Sequence, residues 1–236
     1  MKNKISTPDE MKSIIIKKFE DGHIICLIND TTYIFDNLGN FLTKRGRMNF
    51  GFTANYYSLN IKDNYHFFIG FISNNRFYLY YYEYKAATKE TLFLSKFEGV
   101  RIMANNFNVM ITYSYQDIGS NCHIMNDGEN GDTIGCIFML YDDNNNKYYW
   151  YIKFFNIDDD NQIINEDNYS DIQSEAVTYI LSYFKAEVNS DKNILFICSY
   201  VTSGDDLCLF FDLKQQQFNS NIKYLKDVLK MIINSN

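Results

Sequence analysis

Three histidines, five cysteines and a surplus of carboxylates are the residues of this 236-residue chain that could do chemistry. Hydrolysis needs a nucleophile held against an oriented base, or two opposed carboxylates. His23 and His66 each stand near the start of an apolar run, the place of an ordinary strand histidine. Cys122 and His123 are adjacent, but neighbours in an extended segment point to opposite faces, which is poor geometry for a dyad. Neither a Gly-x-Ser-x-Gly elbow nor a phosphate-cradling loop occurs, and the 11 glycines of the chain leave little material for one. The run Asn126-Asp127-Gly128-Glu129-Asn130-Gly131-Asp132 has the oxygen density of a calcium loop without its Asp-x-Asp-x-Asp-Gly spacing or terminal Glu. It reads as a solvated hairpin loop. The acidic run from Asp158 to Asp171 fails the same register, with Ile163 where Gly is needed, and reads as a flexible linker of mutually repelling carboxylates. No cofactor or metal is expected.

The five cysteines, Cys26, Cys122, Cys136, Cys198 and Cys208, are an odd number, so one at least is a thiol in any intramolecular scheme. Cys198 and Cys208 fall on two strands of one hairpin, and Cys122 and Cys136 bracket a polar loop. Two local disulfides are therefore conceivable, against the alternative of reduced thiols buried as small hydrophobes. There is no Cys-x-x-Cys spacing for structural zinc. The basic cluster Lys44-Arg45-Gly46-Arg47 reads as a connector between two units, or as a contact for an acidic partner. Tyr82 and Tyr84, at the end of a Tyr-rich run, are further candidate partner contacts. Trp150 within Tyr148-Tyr149-Trp150-Tyr151 could stack on a ligand, but an aromatic strand more often buries it.

These residues must be positioned by strands. Hydrophobic residues are 46% of the chain and aromatics 17%, which excludes a disordered or collagen-like protein. A net charge of -7 argues against a nucleic-acid backbone binder. No apolar run is long enough to insert in a membrane as a helix. The N-terminal residues lack the apolar segment of a signal peptide, so the compartment stays open between cytoplasm and, after removal of a leader, the cell surface.

Short β-branched and aromatic runs separated by Asn, Asp and Gly predict antiparallel meanders. The first unit, about 13–45, has strands Ser13 to Lys18, His23 to Ile28, Thr32 to Phe35 and Phe41 to Lys44. The second, about 53–97, has Tyr56 to Ile61, Tyr65 to Ser73, Arg76 to Tyr84 and Thr91 to Phe97. In its third strand Phe77, Leu79 and Tyr81 face one way and Tyr78, Tyr80 and Tyr82 the other, so both faces are expected to be covered. The third, about 100–156, has Asn108 to Tyr115, a polar loop from Gln116 to Asp132, Thr133 to Tyr141 and Tyr148 to Phe155. The fourth, about 172–218, has Ile194 to Val201 and Leu207 to Leu213, preceded by Thr178 to Val188, whose pattern fits a strand or a helix equally. A C-terminal helix is expected over 221–234, with Ile222, Leu225, Leu229, Ile232 and Ile233 on one stripe.

Four meanders with covered faces resemble the β-propeller architecture, whose blades pack face to face around an axis. The likeness extends to diverged propellers of parasite surface and invasion proteins, without a Trp-Asp dipeptide, a Kelch double glycine or an Asp-box to assign a subfamily. The abundance of Asn, Ile, Lys, Tyr and Phe beside a single Pro, Pro8, resembles proteins of AT-rich protozoa of the malaria-parasite kind. The expectation is an all-β protein of about four propeller-like blades, a partial or small propeller, formed as one unit over 1–236. Its expected function is a non-enzymatic protein-protein interaction or scaffold module, with another protein as partner. The alternative is a propeller-type glycan-binding or glycoside-hydrolase domain.

Overall fold

The computed structural model describes residues 14–28, 31–45, 56–73, 76–101, 107–109, 122–126, 128–129, 131–142, 147–165, 172–173, 181–201, 207–218 and 223–224. All their regular structure is β, in four antiparallel sheets. The first sheet is β1 (Ile14–Lys18), β2 (Ile24–Ile28), β3 (Thr31–Phe35) and β4 (Phe41–Arg45), and the second is β5 (Tyr56–Ile61), β6 (His66–Ser73), β7 (Arg76–Lys85) and β8 (Glu90–Arg101), each paired in sequence order. The third holds β9 (Phe107–Val109), β10 (Cys122–Asn126), β11 (Asp132–Asp142), β12 (Lys147–Ile157), β13 (Ile163–Asn165) and β14 (Ile172–Gln173). The fourth holds β15 (Leu181–Val188), β16 (Ile194–Val201), β17 (Leu207–Asp212), β18 (Gln217–Phe218) and β19 (Lys223–Tyr224).

Turn chemistry sets these registers. Three sheets close the hairpin between third and fourth strands with an apolar residue and an Asp, namely Phe35-Asp36, Ile157-Asp158 and Phe211-Asp212. Asp36 Oδ1 accepts from the amides of Leu38 and Asn40 at 2.9 and 2.8 Å, and Asp158 Oδ1 accepts from those of Asp160 and Gln162 at 3.0 and 2.7 Å. Asp212 does the same for Lys214 and Gln215. Such a carboxylate replaces missing ladder bonds, and the left-handed residue each turn needs is Gly39, Asn161 or Gln216.

The sheets are stacked as blades. β1 lies against β5, β5 against β10 and β10 against β15, so the first strands stand side by side, while β8 meets β4 and β13 farther out. The core therefore lies between sheets. Ile15, Ile25, Leu27 and Ile34 of the first sheet pack with Leu59, Phe67, Ile69 and Phe71 of the second. Phe68, Phe77, Leu79 and Tyr81 of the second pack with Ile124, Ile134 and Phe155 of the third. Met125, Trp150, Ile152 and Phe154 of the third pack with Ala186, Leu195, Ile197 and Phe211 of the fourth. The alternating aromatics of β7 are thus divided between two interfaces, which is the propeller-like arrangement expected.

Three expectations are corrected, and one open between helix and strand is resolved. Of the strand expected over Asn108 to Tyr115, Asn108 and Val109 lie in β9 and the rest lies outside the described residues; β9 and β10 occupy one edge of β11, where Val109 pairs with Leu140 and Cys122 with Cys136. The chain inserts residues 110–121 between them, and the polar loop expected from Gln116 to Asp132 contains β10. The linker expected over 158–171 contains β13, which adds the fourth strand to the third sheet. The segment open between helix and strand forms β15 over Leu181–Val188, with residues 174–180 outside the described residues. Lys223–Tyr224, inside the expected C-terminal helix, is strand β19, whose bonds to β17 compete with helix nucleation; the other positions of 221–234 lie outside the described residues. No helix among the described residues is long and apolar enough to cross a membrane.

Candidate interaction surfaces

The turns joining first to second strands gather the polar chemistry at one rim. In the turn after β1, His23 Nδ1 lies 2.9 Å from Asp21 Oδ2, and in the turn after β5, His66 Nδ1 lies 2.9 Å from Asp63 Oδ1. The Asp21 amide donates to Asn64 Oδ1 at 2.9 Å, tying the two turns together. The His23 ring leans on Tyr84 at 5.7 Å, and His66 stacks on Tyr81 at 5.5 Å with 18° between planes. Burial works to raise the Asp21 carboxyl, but the His23 amide and imidazole outweigh it and hold it below the ordinary Asp value. Asp63 is likewise lowered: burial opposes, while the Tyr65 amide and the His66 ring prevail. The Asp63 carboxylate fixes the His66 ring by its Nδ1, the way a carboxylate orients a histidine base. Among the described residues neither ring is bonded to a hydroxyl or thiol, so each pair is an oriented polar contact without a nucleophile.

The residues singled out from sequence are dispersed. Lys44 is exposed, but the Arg45 guanidinium is half-buried, donates to the Thr91 carbonyl and lies over the Tyr82 ring at 5.4 Å. It fastens the first sheet to the second. Arg47 lies outside the described residues. Tyr82 and Tyr84 are corrected as partner contacts: they are 2% and 1% exposed, packed between the first two sheets. Burial raises the Tyr82 hydroxyl far above its ordinary value, partly offset by Arg45. Cys122 and Cys136, opposite each other on β10 and β11, form a disulfide. Cys198 and Cys208 are also opposite each other, on β16 and β17, but are not disulfide-bonded. In the calcium-like loop, Asn126 Oδ1 caps the Gly128 amide and Asn126 Nδ2 donates to Asp132, so its oxygens serve the turn itself. Trp150 is 1% exposed, within the core.

One open apolar surface among the described residues is announced by no motif. In the second sheet the face toward the first carries Leu59, Phe67, Ile69 and Tyr82, all buried. Aligning the turns after β1 and β5, in which Phe19 N–H donates to the His23 carbonyl and Lys62 N–H to that of His66, places Ile16 at the position of Leu59 and Cys26 at that of Ile69. The same register matches Phe35 to Tyr82. This face of the first sheet has the same apolar chemistry but, among the described residues, no sheet against it. Ile16 is 62% and Ile14 42% exposed, whereas Leu59 is 0% exposed. The other end of the stack differs: Leu195 and Ile197 are buried against the third sheet, and on the opposite face Phe196, Cys198 and Phe210 are half-buried and Cys208 is buried.

No protein-family model matches the chain, and no curated protein matches it. Solved structures similar to it include a protein from Lactobacillus plantarum, at 10% identity over 87% of this chain and 53% of that one, with a TM-score of 0.49. The WD40 domain of SCAP from fission yeast is similar at 9% identity over 87% and 53%, TM-score 0.38. Hsv2 of Kluyveromyces lactis is similar at 9% identity over 89% and 63%, TM-score 0.32. The chain spans about half the length of the first two.

Proposed function

We propose that the protein is a non-enzymatic interaction module that binds another protein through the open apolar face of its first sheet. The observation that carries this reading is the contrast between Ile16, 62% exposed, and its counterpart Leu59, fully buried by the neighbouring sheet. A contiguous exposed apolar face is a surface suited to being covered. The glycoside-hydrolase alternative calls for a carboxyl raised toward neutrality as general acid. The rim works the other way, since Asp21, Asp36 and Asp63 are all lowered by bonds to their own turns. Glycan binding at the rim stays open as the second role of such turns.

The test is the mass of the intact assembly after affinity purification of the native protein, compared with Ile16→Lys. A stoichiometric protein partner held by the parent and lost from a folded Ile16→Lys variant is the expected result. Equal masses for the two, at the mass of the chain alone, overturn the reading.

A further inference from the structure

We infer that Cys198 and Cys208 are a redox-reversible site, a pair of thiols that a small disulfide such as oxidised glutathione closes into a second cross-strand bond and that a thiol reductant reopens. The site lies on the fourth sheet and is independent of the docking reading of the first.

The hydrogen-bond phase of the sheet places the two thiols. β16 and β17 run in unbroken register, with Cys198 opposite Cys208. Just beyond this ladder the Leu213 N–H donates to the Asn193 carbonyl at 2.9 Å, which makes these two a hydrogen-bonded pair in the same register. Bonded and non-bonded pairs alternate along an antiparallel ladder. Counting from Asn193 and Leu213, the pairs Leu195–Phe211 and Ile197–Leu209 are bonded and Cys198–Cys208 is not. The ladder to β15 agrees: Asn189 N–H donates to the Ile194 carbonyl, and the alternation from there turns the backbone of Cys198 toward Lys185 and away from Cys208. Across a non-bonded pair the Cα atoms stand about 4.5 Å apart, against about 5.5 Å across a bonded one, and the side chains are closer. That separation lies within the range of about 4.4–6.8 Å that a disulfide spans. The chain already bridges a close pair of this kind, since Cys122 and Cys136, opposite each other on β10 and β11, are bonded at a Cα separation of 4.0 Å.

Exposure separates the two pairs. Cys122 and Cys136 are both 0% exposed, so their bond is shut away from any reagent in the folded protein. Cys198 is half-buried, whereas Cys208 is 2% exposed. This asymmetry sets the order of events. The Cys198 thiol gives up its proton and its sulfur attacks one sulfur of oxidised glutathione; a Cys198–glutathione bond forms, the glutathione S–S bond breaks and one glutathione thiolate leaves. Cys208 then gives up its proton, and its sulfur attacks that of Cys198 and expels the second glutathione thiolate. The two cysteines are oxidised by two electrons, one glutathione disulfide is reduced to two thiols, and the two protons released end on the two leaving thiolates. The bond adds a covalent rung where the ladder has no backbone one. Cys26 is half-buried too, but its ladders set Ile16 and Tyr33 opposite it, so the same reagent takes it only as far as the mixed disulfide.

The experiment treats the folded full chain first with dithiothreitol and then with oxidised glutathione, blocks the remaining thiols by alkylation after each step, and maps the unreduced peptides by mass. The expected result is alkylation of both Cys198 and Cys208 after the first step and a Cys198–Cys208 link after the second, with Cys122–Cys136 bonded throughout. In Cys208→Ser the second step should stop at a glutathione adduct on Cys198, an adduct that the parent does not accumulate. The link is read in the parent itself, so the test keeps its force even if the variant fails to fold. A lasting glutathione adduct on Cys198 of the parent, or a Cys198 that stays a thiol after the second step, overturns the pairing. A Cys198–Cys208 link that dithiothreitol does not open in the folded protein overturns the reversibility.

Discussion

The sulfur of Cys122 packs onto the bare Cα of Gly70, across the interface between the third and second sheets. A methyl group on Gly70 would stand 3.0 Å from that sulfur, 2.8 Å from Ser58 Oγ and 3.1 Å from the Phe77 ring. Disulfide and ring are both held in the core and have little room to yield. Gly70→Ala is expected to destabilise by about 1–3 kcal/mol through overpacking. Gly135→Ala is the control: its close neighbour is Met125 Sδ at 2.8 Å, the end of a flexible side chain, and the loss should be smaller. Urea denaturation of the two variants measures the difference.

The Cys122–Cys136 disulfide closes a loop with a sequence separation of 14 and pins β10, which is only five residues long, to β11. Removing the bond with Cys136→Ser should cost roughly 3 kcal/mol. The unreduced, denatured parent should titrate as three thiols, those of Cys26, Cys198 and Cys208. One thiol would mean a second bridge, and five would mean none.

Arg45 joins two sheets by a charge-assisted bond to the Thr91 carbonyl and by its place over Tyr82. Arg45→Ala should destabilise by about 1–3 kcal/mol. Lys at this position keeps the charge without the planar fork and should recover only part of the loss. Thermal melts of the three proteins give the order.

Acid should loosen the rim before the rest of the fold. Asp21, Asp36 and Asp63 are all held below the ordinary Asp value of 3.8 by hydrogen bonds within their turns. A carboxylate lowered in the folded state contributes stability that is complete above its unfolded value and disappears as pH falls through the folded one. Stability should therefore be unaffected by these groups well above pH 3.8 and should decline below it. Carboxyl NMR titration of Asp63→Asn against the parent tests this, and a parent Asp63 titrating above the ordinary Asp range would contradict it.

The strand pattern was legible because alternation with period two needs no knowledge of neighbours. Phe77, Leu79 and Tyr81 against Tyr78, Tyr80 and Tyr82 already implied two buried faces. β10 was hidden because Cys-His-Ile-Met-Asn is short and lies between polar stretches, and only its ladder to β11 makes it a strand. Tyr84 resembled a surface contact because it ends the alternating run, and Tyr82 was proposed as a contact against the two covered faces its own strand implied. The recurring Phe35-Asp36, Ile157-Asp158 and Phe211-Asp212 turns were a readable repeat, one that gives sheet boundaries more sharply than spacing does. The open face of the first sheet was not readable at all. Ile16 and Leu59 are similar residues, and their difference lies wholly in what stands beside them.

Each hydrophobic cluster is shared by two consecutive sheets, so the stack has the energetics of a one-dimensional chain of nearest-neighbour couplings. Within one chain, and among the described residues, interior sheets are held on two sides and terminal ones on one. Fraying must then start at β1–β4 and β15–β19 and travel inward, with the slowest-exchanging amides in β6, β7, β11 and β12. Cutting the chain between any two sheets would uncover a fresh aromatic layer, which leaves the stack without an internal boundary at which it could be divided into self-sufficient halves.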